Sequence, residues 1–177
     1  MKRAIFGLAL ATILGAQLGH PDAASATEVG KGRPLGFGFA LGVPTSLVGK
    51  YFLNASNAVD FGLSFGRLGR RCSGDGTPYS CDGLGSFGFF GDYLWHDTLA
   101  RGTAQLDWHF GPGARLWVGN DDRGDNVALA ARLPVGLDLT FDRPDFLELF
   151  IDIAPALYVI PSAFLEIEAF MGIRFYF

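Results

Sequence analysis

Leu165-Glu166-Ile167-Glu168-Ala169-Phe170-Met171-Gly172-Ile173-Arg174-Phe175-Tyr176-Phe177 closes the chain. Leu165, Ile167, Ala169, Met171, Ile173, Phe175 and Phe177 take every second position without a break. Phe164, Glu166, Glu168, Phe170, Gly172, Arg174 and Tyr176 take the alternate ones. A period of two belongs to a strand, whose successive side chains point to opposite faces. One face of this strand is wholly apolar and the other carries charge.

The same alternation recurs upstream. Leu35, Phe37, Phe39 and Leu41 oppose Gly36, Gly38, Ala40 and Gly42, and Val59, Phe61, Leu63 and Phe65 oppose Asp60, Gly62, Ser64 and Gly66. Phe87, Phe89, Tyr93 and Trp95 oppose Gly88, Asp92 and His96. A longer run sets Leu106, Trp108, Phe110, Ala114, Leu116 and Val118 against Gln105, Asp107, His109, Gly111, Gly113 and Arg115. Val127 to Leu139 then oppose Arg132, Gly136, Asp138 and Thr140. Leu147 to Leu157 oppose Glu148 and Asp152, with Phe146, Phe150 and Tyr158 on the charged side. The run Ser46 to Asn54 is ambiguous, although placing Lys50 inward leaves Leu47, Gly49, Tyr51 and Leu53 outside. Turn-forming residues separate these runs at Val43-Pro44-Thr45-Ser46, Asn54-Ala55-Ser56-Asn57, Gly119 to Asn126, Asp142-Arg143-Pro144-Asp145 and Ile160-Pro161-Ser162. The expectation is an all-β domain over residues 34–177, an eight-stranded antiparallel up-and-down transmembrane β-barrel.

The other end of the chain has a different character. Lys2 and Arg3, an apolar run from Ile5 to Leu14 and a small-residue Ala24-Ser25-Ala26 site read as a cleavable signal peptide over residues 1–26. Gln17, His20, Pro21 and Asp22 interrupt the run before the length that a membrane helix needs. Residues 27–33 form a short polar leader. Losing Lys2, Arg3 and Asp22 leaves 12 of the 14 basic and 17 of the 18 acidic residues, a net charge of −5. A mildly acidic chain whose only remaining lysines are Lys31 and Lys50 lacks the basic stripe of a nucleic-acid surface.

Alternation alone leaves open which face points inward, because a soluble barrel buries its apolar row and wets its polar one. Three features favour the inverted sense, with the apolar row against lipid. The polar face is rich in glycine and poor in the long side chains of a soluble surface. It gathers both signs of charge, Lys50, Asp60, Asp92, Asp107, Arg115, Arg132, Asp138, Glu148, Asp152, Glu166, Glu168 and Arg174, which can pair as a network filling the lumen. Tyr51, Tyr93, Trp95, Trp108, Phe175 and Phe177 fall near strand ends, where interfacial girdles sit.

Gly172-Ile173-Arg174-Phe175-Tyr176-Phe177 resembles the terminal signature of outer-membrane proteins. That resemblance implies that Ile173, Phe175 and Phe177 are an assembly signal read by the barrel-assembly machinery. Residues 34–177 resemble the small eight-stranded barrels of the OmpA, OmpX and PagP type. They are also similar to a set of small outer-membrane barrels with Gly42-Val43-Pro44, Lys50-Tyr51, Pro134-Val135-Gly136 and Ala154-Pro155-Ala156 at these places. The resemblance implies a bacterial outer-membrane location reached through the periplasm, with outer-membrane lipid and lipopolysaccharide as surroundings and a monomeric state. It implies little about function.

With the N-terminus periplasmic, residues 67–83 form the longest external loop and residues 119–126 the third. Cys72 and Cys81, the only cysteines, suit a disulfide clipping the first of these in an exported protein. Catalytic arrangements are thin. His96-Asp97-Thr98 lie on different faces, Asp107 and His109 suit the ion network, and Glu166 and Glu168 suit partnership with Arg115, Arg132 and Arg174. The acidic 119–126 segment lacks the spaced ligands of a calcium loop, and its Arg123-Gly124-Asp125 resembles an integrin-binding tripeptide. These readings imply no cofactor and no metal. They point to a non-enzymatic structural barrel, with ligand binding or adhesion through loops 67–83 and 119–126 as the alternative and a lipid-modifying enzyme or narrow pore behind it.

Overall fold

The computed structural model describes residues 32–73, 80–121, 124–160 and 162–177; for residues 67–73, 80–86, 120–121 and 124–126 it describes the backbone alone. The expected signal peptide at 1–26 and the leader up to residue 31 lie outside the described residues. The described residues are all-β and antiparallel, and among them no helix is long and apolar enough to cross a membrane.

The strands are β1 (Leu35–Val43), β2 (Thr45–Phe52), β3 (Asn57–Ser73), β4 (Ser80–Arg101), β5 (Ala104–Phe110), β6 (Gly113–Asp121), β7 (Gly124–Arg132), β8 (Val135–Phe141), β9 (Leu147–Ile160) and β10 (Phe164–Tyr176). Each has at least two hydrogen-bonded neighbours. β1 pairs with β2 and with β10; β4 pairs with β3, β5 and β6; β9 pairs with β7, β8 and β10. The remaining pairs are β2 with β3, β5 with β8 and β6 with β7.

Among the described residues ten strands stand where the alternation predicts eight, because two of the expected runs are each broken in the middle. Pro112 separates β5 from β6, and Pro134 separates β7 from β8. The breaks line up. Phe110 and Gly113 flank one break and pair with Val135 and Arg132, which flank the other, and these in turn pair with Ile153 and Ala156 on either side of Pro155. A proline cannot donate to the ladder, but its carbonyl still accepts. Tyr93 N donates to the Pro112 carbonyl at 2.9 Å, Gly111 N to Pro134 at 3.2 Å and Leu133 N to Pro155 at 3.0 Å. The missing donors are thus gathered on one line across neighbouring strands. The alternation passes through the line unchanged, since each break skips two residues.

Two expected loops are also shorter than the sequence reading has them. Much of segment 67–83 is strand, with Arg71 opposite Asp82, Cys72 opposite Cys81 and Ser73 opposite Ser80. The cysteine side chains and residues 74–79 lie outside the described residues. Segment 119–126 is the paired end of β6 and β7, with Asp121 opposite Gly124. Both segments lack an apolar row, which is why periodicity does not find these strands.

The two faces of the sheet contrast sharply. Leu165, Ile167 and Phe177 are 66%, 64% and 72% exposed, while Lys50 and Arg174 are fully buried. β9 alternates the same way, with Leu149, Ile151, Ile153 and Leu157 exposed and Glu148, Phe150, Asp152 and Tyr158 buried. Phe146, expected on the charged side, is exposed in the turn before β9 and stacks on Phe175 with ring centroids 6.3 Å apart. Leaving the strand ends the alternation, so parity no longer sets its direction. On the apolar face, Gly49 is the register partner of both Phe37 and Phe61, whose rings meet edge to face over it. A Cβ at Gly49 would stand 2.5 Å from the Phe61 ring and 3.1 Å from Phe37. Here aromatic rings cover the bare backbone of a strand glycine.

Candidate functional site

The buried face carries two groups of charge separated by aromatic rings. One lies toward the strand ends nearest the start of β1 and the close of β10, here called the terminal layer. The other, the hairpin layer, lies toward the β6–β7 hairpin.

In the terminal layer Asp138, on β8, is the hub. Lys50 Nζ donates to Asp138 Oδ2 at 2.7 Å, His109 Nδ1 lies 2.8 Å from the same oxygen, and His96 Nε2 lies 3.3 Å from it. His109 Nε2 sits 2.7 Å from Asp152 Oδ1. Arg174 donates to Asp60 Oδ2 at 2.7 Å and to Glu148 Oε1, its neighbour across the β9–β10 ladder. Tyr176 Oη completes the group by donating to Glu148 Oε2 at 2.7 Å. Sequence spacing hides these partnerships, since they join residues far apart along the chain that only the register brings together.

The hairpin layer joins Arg115, Arg132, Glu168 and Asp92. Arg115 NH1 donates to Glu168 Oε1, and its NH2 donates to the Ser64 hydroxyl at 3.1 Å. Ser64 and Ser46 share a hydrogen bond of 2.7 Å. Arg132 is held less closely. Its Nε stands 3.4 Å from Asp92 Oδ1 and its NH1 3.5 Å from Glu168 Oε2, and none of its three nitrogens makes a hydrogen bond.

Phe90, Phe150 and Phe170 occupy the space between, and the guanidinium groups lie over their rings. Arg174 sits 3.6 Å from the Phe150 centroid, while Arg132 and Arg115 sit 4.4 Å and 5.0 Å from that of Phe90. Such contacts strengthen when water is excluded. Beyond the hairpin layer Trp117 Nε1 donates to Tyr158 Oη at 3.0 Å, and Phe164 stacks on Tyr158 at 4.5 Å.

Of the residues named from sequence, Lys50, Asp60, Asp92, Asp107, Arg115, Arg132, Asp138, Glu148, Asp152, Glu168 and Arg174 are buried on this face. Asp107 accepts from Gln105 Nε2 at 2.8 Å. Glu166 is partly exposed, one step from Glu168 toward the β9–β10 turn. Glu168 partners Arg115 and Arg132, whereas Arg174, also expected to pair with Glu166 or Glu168, goes to Asp60 and Glu148. Ile173 and Phe175 are partly exposed and Phe177 is exposed, on the opposite face. His96, Asp97 and Thr98 do not converge, because His96 turns inward while Asp97 is exposed and accepts from Thr98 N. The sequence reading omits His96, Ser46, Ser64, Trp117 and Tyr176 from the network; the parity of each run was the signal that places them on this face.

Among the described residues four buried Lys and Arg side chains, Lys50, Arg115, Arg132 and Arg174, face seven buried carboxylates. Ion pairs removed from water repay their desolvation only with close geometry and further hydrogen bonds. The terminal layer meets that condition at nearly every group and the hairpin layer at fewer. The chain matches no family model, no curated protein and no solved structure.

Proposed function

We propose that the chain is a bacterial outer-membrane barrel with a non-enzymatic, structural role in the envelope. The observation that carries this reading is the inversion of its two faces, with large apolar side chains exposed on strand after strand while arginine, lysine and carboxylates are buried. A monomer in water seldom exposes more than a few hundred Å² of contiguous apolar surface. Hydrocarbon removes that cost, and there every backbone donor and acceptor must be satisfied within the chain.

Strand pairing supports the same reading. Following the ladders from β1 through β2, β3 and β4, across β5 and β6, then β8 and β7, to β9 and β10 leads back to β1, which makes eight ribbons. An eight-ribbon barrel has a lumen only wide enough for side chains, and the ion network and phenylalanines fill it, which disfavours a pore. The aromatic residues Tyr51, Tyr93, Trp95 and Phe177 are exposed near one end, as an interfacial girdle requires. In this reading residues 1–26 direct export, Ile173, Phe175 and Phe177 are recognised during assembly, and the monomer sits among lipid and lipopolysaccharide. Electrophoresis of the detergent-folded protein, boiled and unboiled, tests it. The unboiled protein should migrate as a distinct compact band that boiling abolishes, with β-rich circular dichroism; identical mobility would oppose the reading.

One feature favours a second role in ligand binding or adhesion. β2 ends its pairing with β3 at Phe65, and β6 ends its pairing with β4 at Gly85, so residues 67–73 and 80–84 form a two-stranded ribbon beyond both neighbours. A Cys72–Cys81 disulfide would clip this ribbon, its ends being register partners. Cells expressing a variant without residues 68–83 should lose adhesion under this reading, and unchanged adhesion would dismiss it.

A further inference from the structure

His96 is buried, yet neither ring nitrogen has a hydrogen-bond partner. Its ring lies between Phe52 and His109, with centroids 5.1 Å and 5.2 Å away. A buried polar group left in this state is costly unless something else engages it. His96 and His109 are register partners on β4 and β5, and Asp138 lies on the next strand of the ladder. One nitrogen from each histidine and one Asp138 oxygen all lie within 4.8 Å of one another. We propose that His96, His109 and Asp138 bind a divalent transition-metal ion of the zinc class inside the terminal layer.

The donor set and its spacing suit such an ion. Two imidazoles and one carboxylate prefer zinc, cobalt or nickel to calcium or magnesium, which favour oxygen. Tetrahedral ligands about 2.1 Å from zinc stand about 3.4 Å apart, and Asp138 Oδ2 lies 3.3 Å from His96 Nε2 and 2.8 Å from His109 Nδ1. To hold one ion, the His109–Asp138 pair opens from 2.8 Å and the two histidine nitrogens, all three donors lying within 4.8 Å of one another, draw to the same spacing.

His109 also has the support expected of a metal ligand. Its far nitrogen, Nε2, meets Asp152 at 2.7 Å, and a carboxylate behind a histidine fixes the ring and raises its basicity toward a metal. Binding at Nδ1 releases the proton otherwise shared with Asp138. Gly136, opposite His109, keeps the space open, since a methyl there would strike the Asp152 carboxylate and stand 2.7 Å from the His109 ring. A metal would approach past Thr98 and Thr140, partly exposed one step nearer the strand ends, and Gln105, partly exposed two steps from His109 beyond Asp107.

Lys50 is the competitor. Its ammonium holds Asp138 Oδ2 at 2.7 Å and has Glu148 Oε2 as a second acceptor at 3.6 Å. Metal binding moves Lys50 toward Glu148, so removing the ammonium should tighten metal binding.

Cobalt(II) titration of the purified, folded full chain tests the site, with the heat-dependent gel shift reporting folding in every variant. One equivalent should bring out the visible absorption of four-coordinate cobalt, and zinc should displace it. His96→Gln and His109→Gln should abolish that absorption while the protein still folds. Asp152→Asn should weaken binding by about 10- to 100-fold, and Lys50→Met should strengthen it. The chain has only three histidines, so His20→Ala, made in the chain that retains residues 1–26, serves as the control and should change nothing. Absence of the absorption in the folded parent overturns the proposal, as does binding that survives His96→Gln or is lost with His20→Ala. Weaker binding in folded Lys50→Met overturns the competition between lysine and metal.

Discussion

The terminal and hairpin layers bury the same kinds of charge and hold them differently. In the terminal layer Arg174 reaches Asp60 and Glu148 by hydrogen bonds, and Lys50 reaches Asp138 at 2.7 Å. In the hairpin layer Arg132 approaches two carboxylates only to 3.4 and 3.5 Å and rests on the face of Phe90. Desolvation is comparable for two guanidinium groups that are both almost wholly buried, so the difference lies in how it is offset. Close hydrogen bonds make the terminal layer rigid and intolerant of deletion. Ring contacts and longer ion pairs make the hairpin layer looser.

Truncations measured by guanidinium unfolding of the detergent-folded protein should separate the layers. Arg174→Met leaves Asp60 and Glu148 buried without their main cation and should cost about 3–5 kcal/mol. Arg132→Met breaks no hydrogen bond and loses chiefly its contact with the Phe90 ring, so it should cost less, about 1–2 kcal/mol. Equal losses from the two substitutions would erase the distinction. Tyr158→Phe removes the acceptor of Trp117 Nε1 above the hairpin layer and should cost about 1 kcal/mol. The double change Arg132→Met with Asp92→Asn removes a long ion pair as a unit and should be neutral or stabilising, by analogy with buried pairs replaced whole. A loss larger than that of Arg132→Met alone would show that Asp92 does more than balance Arg132.

Strands were legible wherever large apolar residues alternated with small or polar ones. The last strand, β10, whose apolar row starts at Leu165, is the plainest case, and the all-β antiparallel architecture follows from repeating it. Residues 67–73 and 80–84 escaped because a ribbon beyond its neighbours needs no apolar row to form its ladder. The interruptions at Pro112 and Pro134 escaped because parity runs through them, and their alignment with Pro155 exists only across strands. The same holds for the charges. Parity assigns Lys50, Asp138, Glu148 and Arg174 to one row, but register makes Asp138 the hub and gives Arg174 to Glu148 across the ladder. His96 was the hardest to read, since its meaning rests on two buried ring nitrogens without a hydrogen bond, which a sequence does not display.

The central claim is that the exposed apolar row faces hydrocarbon. Spin labels placed singly along β9 from Leu147 to Val159, in a Cys72→Ser/Cys81→Ser background folded into lipid bilayers, test it directly. At Leu149, Ile151, Ile153 and Leu157, collisions with oxygen, which concentrates in the acyl chains, should exceed those with a water-soluble nickel chelate, and the excess should fall at alternate positions. Nickel collisions dominating at those four positions would contradict it.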